Sequence, residues 1–507
     1  MRGSMMGVPL SLPSLLDRAA TLFPRKHVVS VDASGVTRIP WEEVRERAWA
    51  LSSALGALGV GEGERIASLA WNTHRHLELY FGVPASGAVL LTVNVRLAPA
   101  QVARILDHAQ ATTVLCDREF APLLDAVAAE LPRLRHRIVL DGPAPTGWRA
   151  YEELIATAAS AAPDRIPDED AAAGLCYTSG TTGEPKGVLY SHRALVLHTM
   201  GICLPDGFGL GEADVILPAV PMFHANAWGL PYAAAMTGAT LVLPGPRPDA
   251  GRLAELMSQE GVTFAAGVPT VWMGVLDELR ARPKALHPDL RIHSGGAPTA
   301  PSLLEAYRSE LDVEILTGWG MTELSPVGMV THPRGEMATW SAEELLPVRT
   351  SQGTPLPLVE ARIVDDAGEP VAHDGTAPGE LEVRGPWVAA SYFEGDSTEA
   401  FRDGWLRTGD VATMDPRGYV RLVDRTKDLI RSGGEWISSV QLEHALMDHP
   451  DVSEAVVVAV PDPRWQERPW ACVVLREGSS SDGASVLDGL ADRFPRWWIP
   501  DRVVFLE

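Results

Sequence analysis

Eleven consecutive residues, Tyr177-Thr178-Ser179-Gly180-Thr181-Thr182-Gly183-Glu184-Pro185-Lys186-Gly187, follow directly on the short apolar run Ala173 to Cys176. Such a run reads as a buried strand, so the hydroxyl- and glycine-rich segment leaves a strand end. Glycine permits the positive φ and close approach that let backbone N–H groups wrap phosphate oxygens, and Lys186 adds a positive charge. The segment is not a Walker A loop, because Gly187 stands where that motif needs Ser or Thr after the lysine. Taken as a generic Gly/Ser/Thr stretch it would be a surface loop. As a full string it predicts a phosphate cradle on an α/β fold.

The rest of the chain agrees with that fold class. Val44, Ala48, Leu51, Leu55 and Leu58 share one helix face, and a loop with Gly59, Gly61 and Gly63 leads to the strand-like run Ile66 to Ala70. Those glycines are not a dinucleotide fingerprint, since residue 64 is Glu. Further strand candidates are Ile138 to Leu140, Thr240 to Leu243 and Ala455 to Val460. Residues 359–423 lack a long helical period and read as a β-rich subdomain. We expect a large multi-subdomain body, residues 1–426, with a small α+β lid, residues 427–507. The 43 Lys+Arg against 66 Asp+Glu give a net charge of −23 and no basic run, which argues against a nucleic-acid partner. Four scattered cysteines without a C-x-x-C pair argue against a disulfide framework or zinc cage and favour a cytoplasmic setting. No signal peptide or integral membrane span is expected.

The eleven-residue string resembles the phosphate loop of the adenylate-forming superfamily, which comprises acyl-CoA synthetases, luciferase and peptide-synthetase adenylation domains. Further segments match in the family's order: Thr317-Gly318-Trp319-Gly320-Met321-Thr322-Glu323, Gly404 to Asp410, and Asp424-Arg425-Thr426-Lys427-Asp428. Val220 to Trp228 and Arg464 to Pro469 are most similar to medium- and long-chain fatty acyl-CoA synthetases. The resemblance runs from about Leu12 to Glu507. It implies an AMP-forming acyl-CoA ligase using ATP, Mg²⁺ and coenzyme A, with an apolar carboxylic acid as substrate and a homodimeric state.

The resemblance also implies roles. Thr178, Ser179, Gly180, Thr181, Thr182, Gly183 and Lys186 would hold the phosphates, and Glu323, with Thr181, would hold Mg²⁺. Gly296, Ala297 and Pro298, with Thr317 to Thr322, would take the adenine. There Trp319 replaces the usual tyrosine, which keeps a stacking ring but loses the hydroxyl. Asp410 and Arg425 would bind the ribose. His224, Asn226, Trp228, Val268, Pro269, Thr270, Gly295 and Gly296 would line the acyl channel, with His224 beside the carboxylate and Trp228 as its gate. Lys427 would be the hinge of a domain rotation that brings Gly433, Gly434 and Trp436 to the pantetheine channel. Each role competes with a plainer one: a solvated Glu323, a turn at Asp410, core packing for His224 and Trp228, and an ordinary linker at Lys427.

One departure stands out. The family carries a C-terminal lysine that reaches the α-phosphate, whereas no lysine follows Lys427 in this sequence, which ends at Val503 to Glu507. Loss of one preorganised transition-state donor costs about 2.7 to 4 kcal/mol, so the chain as written is expected to adenylate poorly. Truncation at the end is the favoured explanation. The alternatives are an enzyme limited to the thioester half-reaction, using a preformed acyl adenylate, and a non-catalytic protein that binds nucleotide or acyl adenylate.

Overall fold

The computed structural model of the chain describes residues 3–162, 167–178, 186–395, 397–425, 429–432, 435–476 and 478–506. The phosphate-loop positions Ser179 to Pro185, including Thr181, and also Lys427, Gly433 and Gly434, lie outside the described residues.

Two large, mainly parallel sheets form the body. In the seven-stranded sheet, Thr113–Cys116, Arg65–Leu69, Val89–Thr92 and Ala172–Tyr177 lie side by side in parallel, and Gly187–Ser191 closes one edge antiparallel to Ala172–Tyr177. The nine-stranded sheet has a parallel centre of Glu314–Gly320, Arg291–Ser294, Phe264–Gly267, Val215–Pro218, Thr240–Leu243 and His27–Asp32, with antiparallel strands at both edges. Val89–Thr92, Thr113–Cys116, Thr240–Leu243 and Phe264–Gly267 are buried along their whole length. Strands covered on both faces read as continuous apolar runs, which is why Thr240–Leu243 stands out in the sequence.

The largest core unites residues of both sheets with the helices Leu12–Leu22, Trp41–Ala57, His74–Ala85, His192–Cys203 and Leu230–Thr237. The expected face of Trp41–Ala57 is the one buried, through Val44, Ala48, Leu51 and Leu55. Its partner His74–Ala85 is capped by Thr73, which accepts from the His76 N–H.

A third, antiparallel sheet contains Glu360–Val364, Gly379–Arg384, Trp405–Met414 and Val420–Arg425 and has its own apolar core. Asp410 lies within a strand there, so its reading as a turn residue falls away. A small C-terminal α+β domain completes the architecture: the helix Ser439–Met447 packs on a sheet that includes Val452–Asp462, Gln466–Leu475 and Arg502–Leu506. Asp424 Oδ2 accepts from both the backbone N–H (2.6 Å) and the hydroxyl (3.0 Å) of Ser439, joining the end of the third sheet to that helix. Among the described residues no helix is long and apolar enough to cross a membrane.

Candidate active site

Ligands in open α/β sheets bind beyond the carboxyl ends of the strands. Here those ends converge on a cavity of about 470 Å³. Ala172–Tyr177 delivers Thr178, Arg291–Ser294 delivers Gly295 and Gly296, Glu314–Gly320 delivers Trp319 to Glu323, and the chain after Val215–Pro218 delivers His224 and Trp228. The third sheet supplies Arg407, Thr408, Gly409, Asp410 and Arg425 from the opposite side.

The base of the phosphate loop is tied shut. The Thr178 N–H donates to the Lys186 carbonyl (2.9 Å) and the Lys186 N–H to the Thr178 hydroxyl (3.4 Å), fixing the two described ends of the loop at the cavity. Lys186 Nζ stands 4.8 Å from the centroid of the Tyr392 ring. The Tyr392 hydroxyl donates to Glu323 Oε1 at 2.7 Å. Glu323 is 4% exposed. Burial pushes its carboxyl above the usual range, while the Tyr392 hydrogen bond, Lys186 and Arg425 oppose that rise.

A second carboxylate faces the same space. Asp410 Oδ2 accepts from the Trp319 indole N–H at 2.8 Å, and Arg425 Nε lies 3.3 Å from Oδ1. Burial raises this carboxyl too, against the pull of Arg425 and Trp319. The hydroxyl lost by having tryptophan at 319 is therefore answered by the indole N–H. Trp319 belongs to the same buried apolar cluster as Leu324, Met329 and Leu381. Gly318 must be glycine, since a Cβ would lie 2.5 Å from His293 Cε1 and 2.7 Å from the Met329 carbonyl.

The far end of the cavity is neutral. Trp228 meets His293 edge-on at 5.4 Å, and its ring covers Gly295 and Gly296. His293 is buried and its pKa is pushed down to about 3 by desolvation. His224 stands exposed to the cavity space but enclosed by its walls, and desolvation lowers its pKa as well.

Several expected residues do not line the cavity. Asn226 turns inward and accepts from Cys176 Sγ (3.5 Å). The Thr317 hydroxyl is buried against the Ser351 carbonyl (2.7 Å). Val268 precedes the helix Pro269–Ala281 and abuts Gly296, and Val268, Pro269, Thr270, Ala297 and Pro298 are not among the residues that line the cavity. Trp436 falls in the strand Glu435–Ile437. Conversely, Tyr392 and His293 were not foreseen: Tyr392 lies outside the motifs, and His293 stands in the buried strand just before Gly295 and Gly296 and reads as core.

The AMP-binding enzyme family matches residues 16–393, and the AMP-binding enzyme C-terminal domain matches residues 441–507. The chain is 49% identical over 508 residues, 99% of its length and 93% of the relative's, to a long-chain-fatty-acid–CoA ligase of Thermus thermophilus. It is 43% identical over 515 residues, 100% of its length and 95% of the relative's, to a 3-methylmercaptopropionyl-CoA ligase of Ruegeria lacuscaerulensis. Among solved structures, an anthranilate CoA ligase in complex with anthranoyl-AMP is similar with a TM-score of 0.89 at 25% identity, covering 100% of this chain and 95% of that one.

Proposed function

The chain belongs to the AMP-binding enzyme family and is an AMP-forming acyl-CoA ligase, and on that premise we propose that its acid is an apolar monocarboxylate held at the Trp228 end of the cavity. The half-reaction-only and non-catalytic alternatives are not favoured, since the full-length relatives are CoA ligases. In the first step a carboxylate oxygen bonds to the α-phosphorus of ATP and the bond to pyrophosphate breaks. In the second the CoA thiol sulfur bonds to the acyl carbon, its proton is lost, and AMP leaves.

We assign Asp410 and Arg425 to the ribose, Gly318 to Thr322 to the adenine, Thr181 and Lys186 to the phosphates, and His224 to the acid carboxylate. A neutral His224 at physiological pH can donate one hydrogen bond without trapping the carboxylate as an ion pair. Glu323 suits Mg²⁺: it is a buried carboxylate that lines the cavity, and Mg²⁺ in nucleotide sites takes one or two carboxylates plus phosphates. When bound, the ion would neutralise charge on the phosphate oxygens. Lys427 as hinge between residues 1–426 and 427–507, and Gly433, Gly434 and Trp436 along the pantetheine path, complete the reading. A homodimer is also proposed, to be tested by light scattering of the purified protein.

One observation carries the acid assignment. Among the described residues the cavity's ionic side chains are Lys186, Glu323, Arg407, Asp410 and Arg425, whereas Ala225, Trp228, Gly295, Gly296 and two neutral histidines form its other end. A second carboxylate on the substrate would meet no cation there among the described residues. The test is mass spectrometry of acyl-AMP and acyl-CoA formed from a series of straight-chain fatty acids, a short thioether acid and α,ω-dicarboxylic acids. Conversion of monoacids and rejection of diacids is expected; preference for a diacid would sink the assignment.

A further inference from the structure

Tyr392 lies in a short segment pinned at both ends to the two halves of the nucleotide site. On one side the Ala389 N–H donates to the Glu323 backbone carbonyl at 2.8 Å. On the other, the Phe393 N–H donates to the carbonyl of Gly187, the first residue of the strand that leaves the phosphate loop, also at 2.8 Å. Between these anchors the Tyr392 hydroxyl reaches Glu323 Oε1 at 2.7 Å and its ring face supports Lys186 Nζ at 4.8 Å. The ring is itself held edge-on by Phe401 at 5.3 Å, and its backbone N–H donates to Ser397 Oγ at 2.8 Å.

One aromatic side chain thus holds a carboxylate at its hydroxyl and an ammonium at its ring, each with its own partner. Without the tyrosine, Glu323 and Lys186 could pair directly and neutralise each other, since a buried carboxylate gains from any nearby cation. With it, the carboxylate accepts one hydrogen bond that fixes its rotamer, and the ammonium is attracted to the ring face. Both charged groups then stand free to meet the triphosphate. We propose that Tyr392 is a positioning residue for the adenylation half-reaction, acting through Glu323 and Lys186, and dispensable to the thioester half-reaction, in which no triphosphate takes part.

The proposal rests on the reading of Glu323 as a group that acts on the triphosphate, so the experiment carries E323Q as its reference. ATP–pyrophosphate exchange with the acid is measured beside acyl-CoA formation from a synthetic acyl adenylate and CoA, and the ratio of the two rates is compared. Y392F keeps the ring and removes the hydroxyl. It should lower that ratio about ten- to a hundredfold, the loss typical of a hydrogen bond to a charged group. In Y392F/E323Q the ratio should fall no further than in E323Q alone, because the hydroxyl acts through the charged carboxylate that E323Q has already removed. Y392L, which also removes the ring beneath Lys186, should lower the ratio below that of Y392F. A role in packing alone would depress both half-reactions together and leave the ratio at the wild-type value, and that result in Y392F overturns the proposal. If E323Q itself leaves the ratio unchanged, the assignment of Glu323 fails; if E323Q lowers it and Y392F does not, the assignment of Glu323 stands and the role of Tyr392 fails.

Discussion

Asp410 shows how a single buried carboxylate is prepared for a polar ligand. Its two oxygens are shared out, one to the Trp319 N–H and one to Arg425, which fixes the carboxylate plane and leaves a lone pair on each oxygen facing the cavity. Two adjacent ribose hydroxyls present a matching pair of donors. Replacing Trp319 by phenylalanine keeps an aromatic ring but removes the indole N–H together with part of the ring's volume. A hydrogen bond to a charged acceptor contributes about 1.5 to 3 kcal/mol, so W319F should raise KM for ATP roughly tenfold or more. The informative comparison is with 2′,3′-dideoxy-ATP, which lacks both hydroxyls. The preference of the wild-type enzyme for ATP over that analogue, measured as a ratio of kcat/KM values, should shrink in W319F. An unchanged ratio would mean that the indole does not orient Asp410. Sequence alone marked Trp319 as a departure from tyrosine, but its hydrogen-bond partner 91 residues away depends on how the third sheet meets the strand Glu314–Gly320.

The element with the most unusual backbone is the turn that carries Trp228. Ala225, Asn226, Ala227, Trp228 and Gly229 have φ of 43°, 54°, 46°, 57° and 81°, a left-handed turn in which four of the five residues bear side chains. Left-handed helical geometry costs roughly 1 to 2 kcal/mol for each L-residue. Surrounding contacts must therefore hold it. Asn72 does so from the preceding segment: its Nδ2 donates to the Pro218 (3.2 Å) and Val220 (2.9 Å) carbonyls, and its Oδ1 accepts from the Met222 N–H (2.7 Å). The Tyr80 hydroxyl donates to the Met222 carbonyl, and Asn226 is held by Cys176. At the end of the turn Gly229 lies against His198, where a Cβ would stand 2.8 Å from Cε1. G229A should thus destabilise the protein by about 2 to 4 kcal/mol, combining left-handed strain with overpacking. It should also raise KM for the acid more than KM for ATP, because Trp228 is the adjoining residue. Urea denaturation and paired KM measurements check both, and wild-type values in both would show that the turn is not held rigidly. Such an element was not legible beforehand: Ala-Asn-Ala-Trp contains no glycine and reads as an ordinary right-handed turn. By contrast Thr240–Leu243, Trp41–Ala57 and the β-rich stretch were legible, because burial on both faces, a helical apolar period and turn-rich alternation are written locally. The ionic half of the site was legible as motifs, whereas Tyr392 reaches it only through long-range packing.

Across the whole molecule, neutral histidines serve as acceptors that join separate elements. His192 Nδ1 accepts from the Leu12 N–H (3.3 Å), joining the N-terminal helix to the helix His192–Cys203. His198 Nε2 accepts from the Val327 N–H (3.1 Å), joining that helix to the strand Val327–Val330 beside the cavity. Since Nε2 accepts, the proton of His198 sits on Nδ1. Protonating either ring would place an N–H against an N–H inside the core, so desolvation pushes the pKa of His192 down to about 4 and that of His198 down to about 3. In the unfolded chain both titrate near 6.5. Their contribution to stability is therefore complete above about pH 6.5 and is lost as pH falls from there toward the folded values, because only the unfolded state takes up the proton. Each costs about 1.4 kcal/mol per pH unit in that window. Buried carboxyls act in the opposite sense: Asp117, raised to about 7 by desolvation, takes up its proton first in the folded state and offsets part of the loss. A difference between two variants removes that common background. H198Q offers an amide oxygen to the Val327 N–H but has no proton to gain. Between pH 7.5 and pH 5.5 it should therefore lose about 1.4 kcal/mol less stability than the wild type, as measured by urea denaturation at the two pH values. Equal losses would mean that His198 is not the neutral, buried acceptor that its partners require. The same logic predicts that acid first loosens the contact between the helix His192–Cys203 and the strand Val327–Val330, so activity should fall on the acid side before secondary structure does, because that strand forms part of the cavity wall.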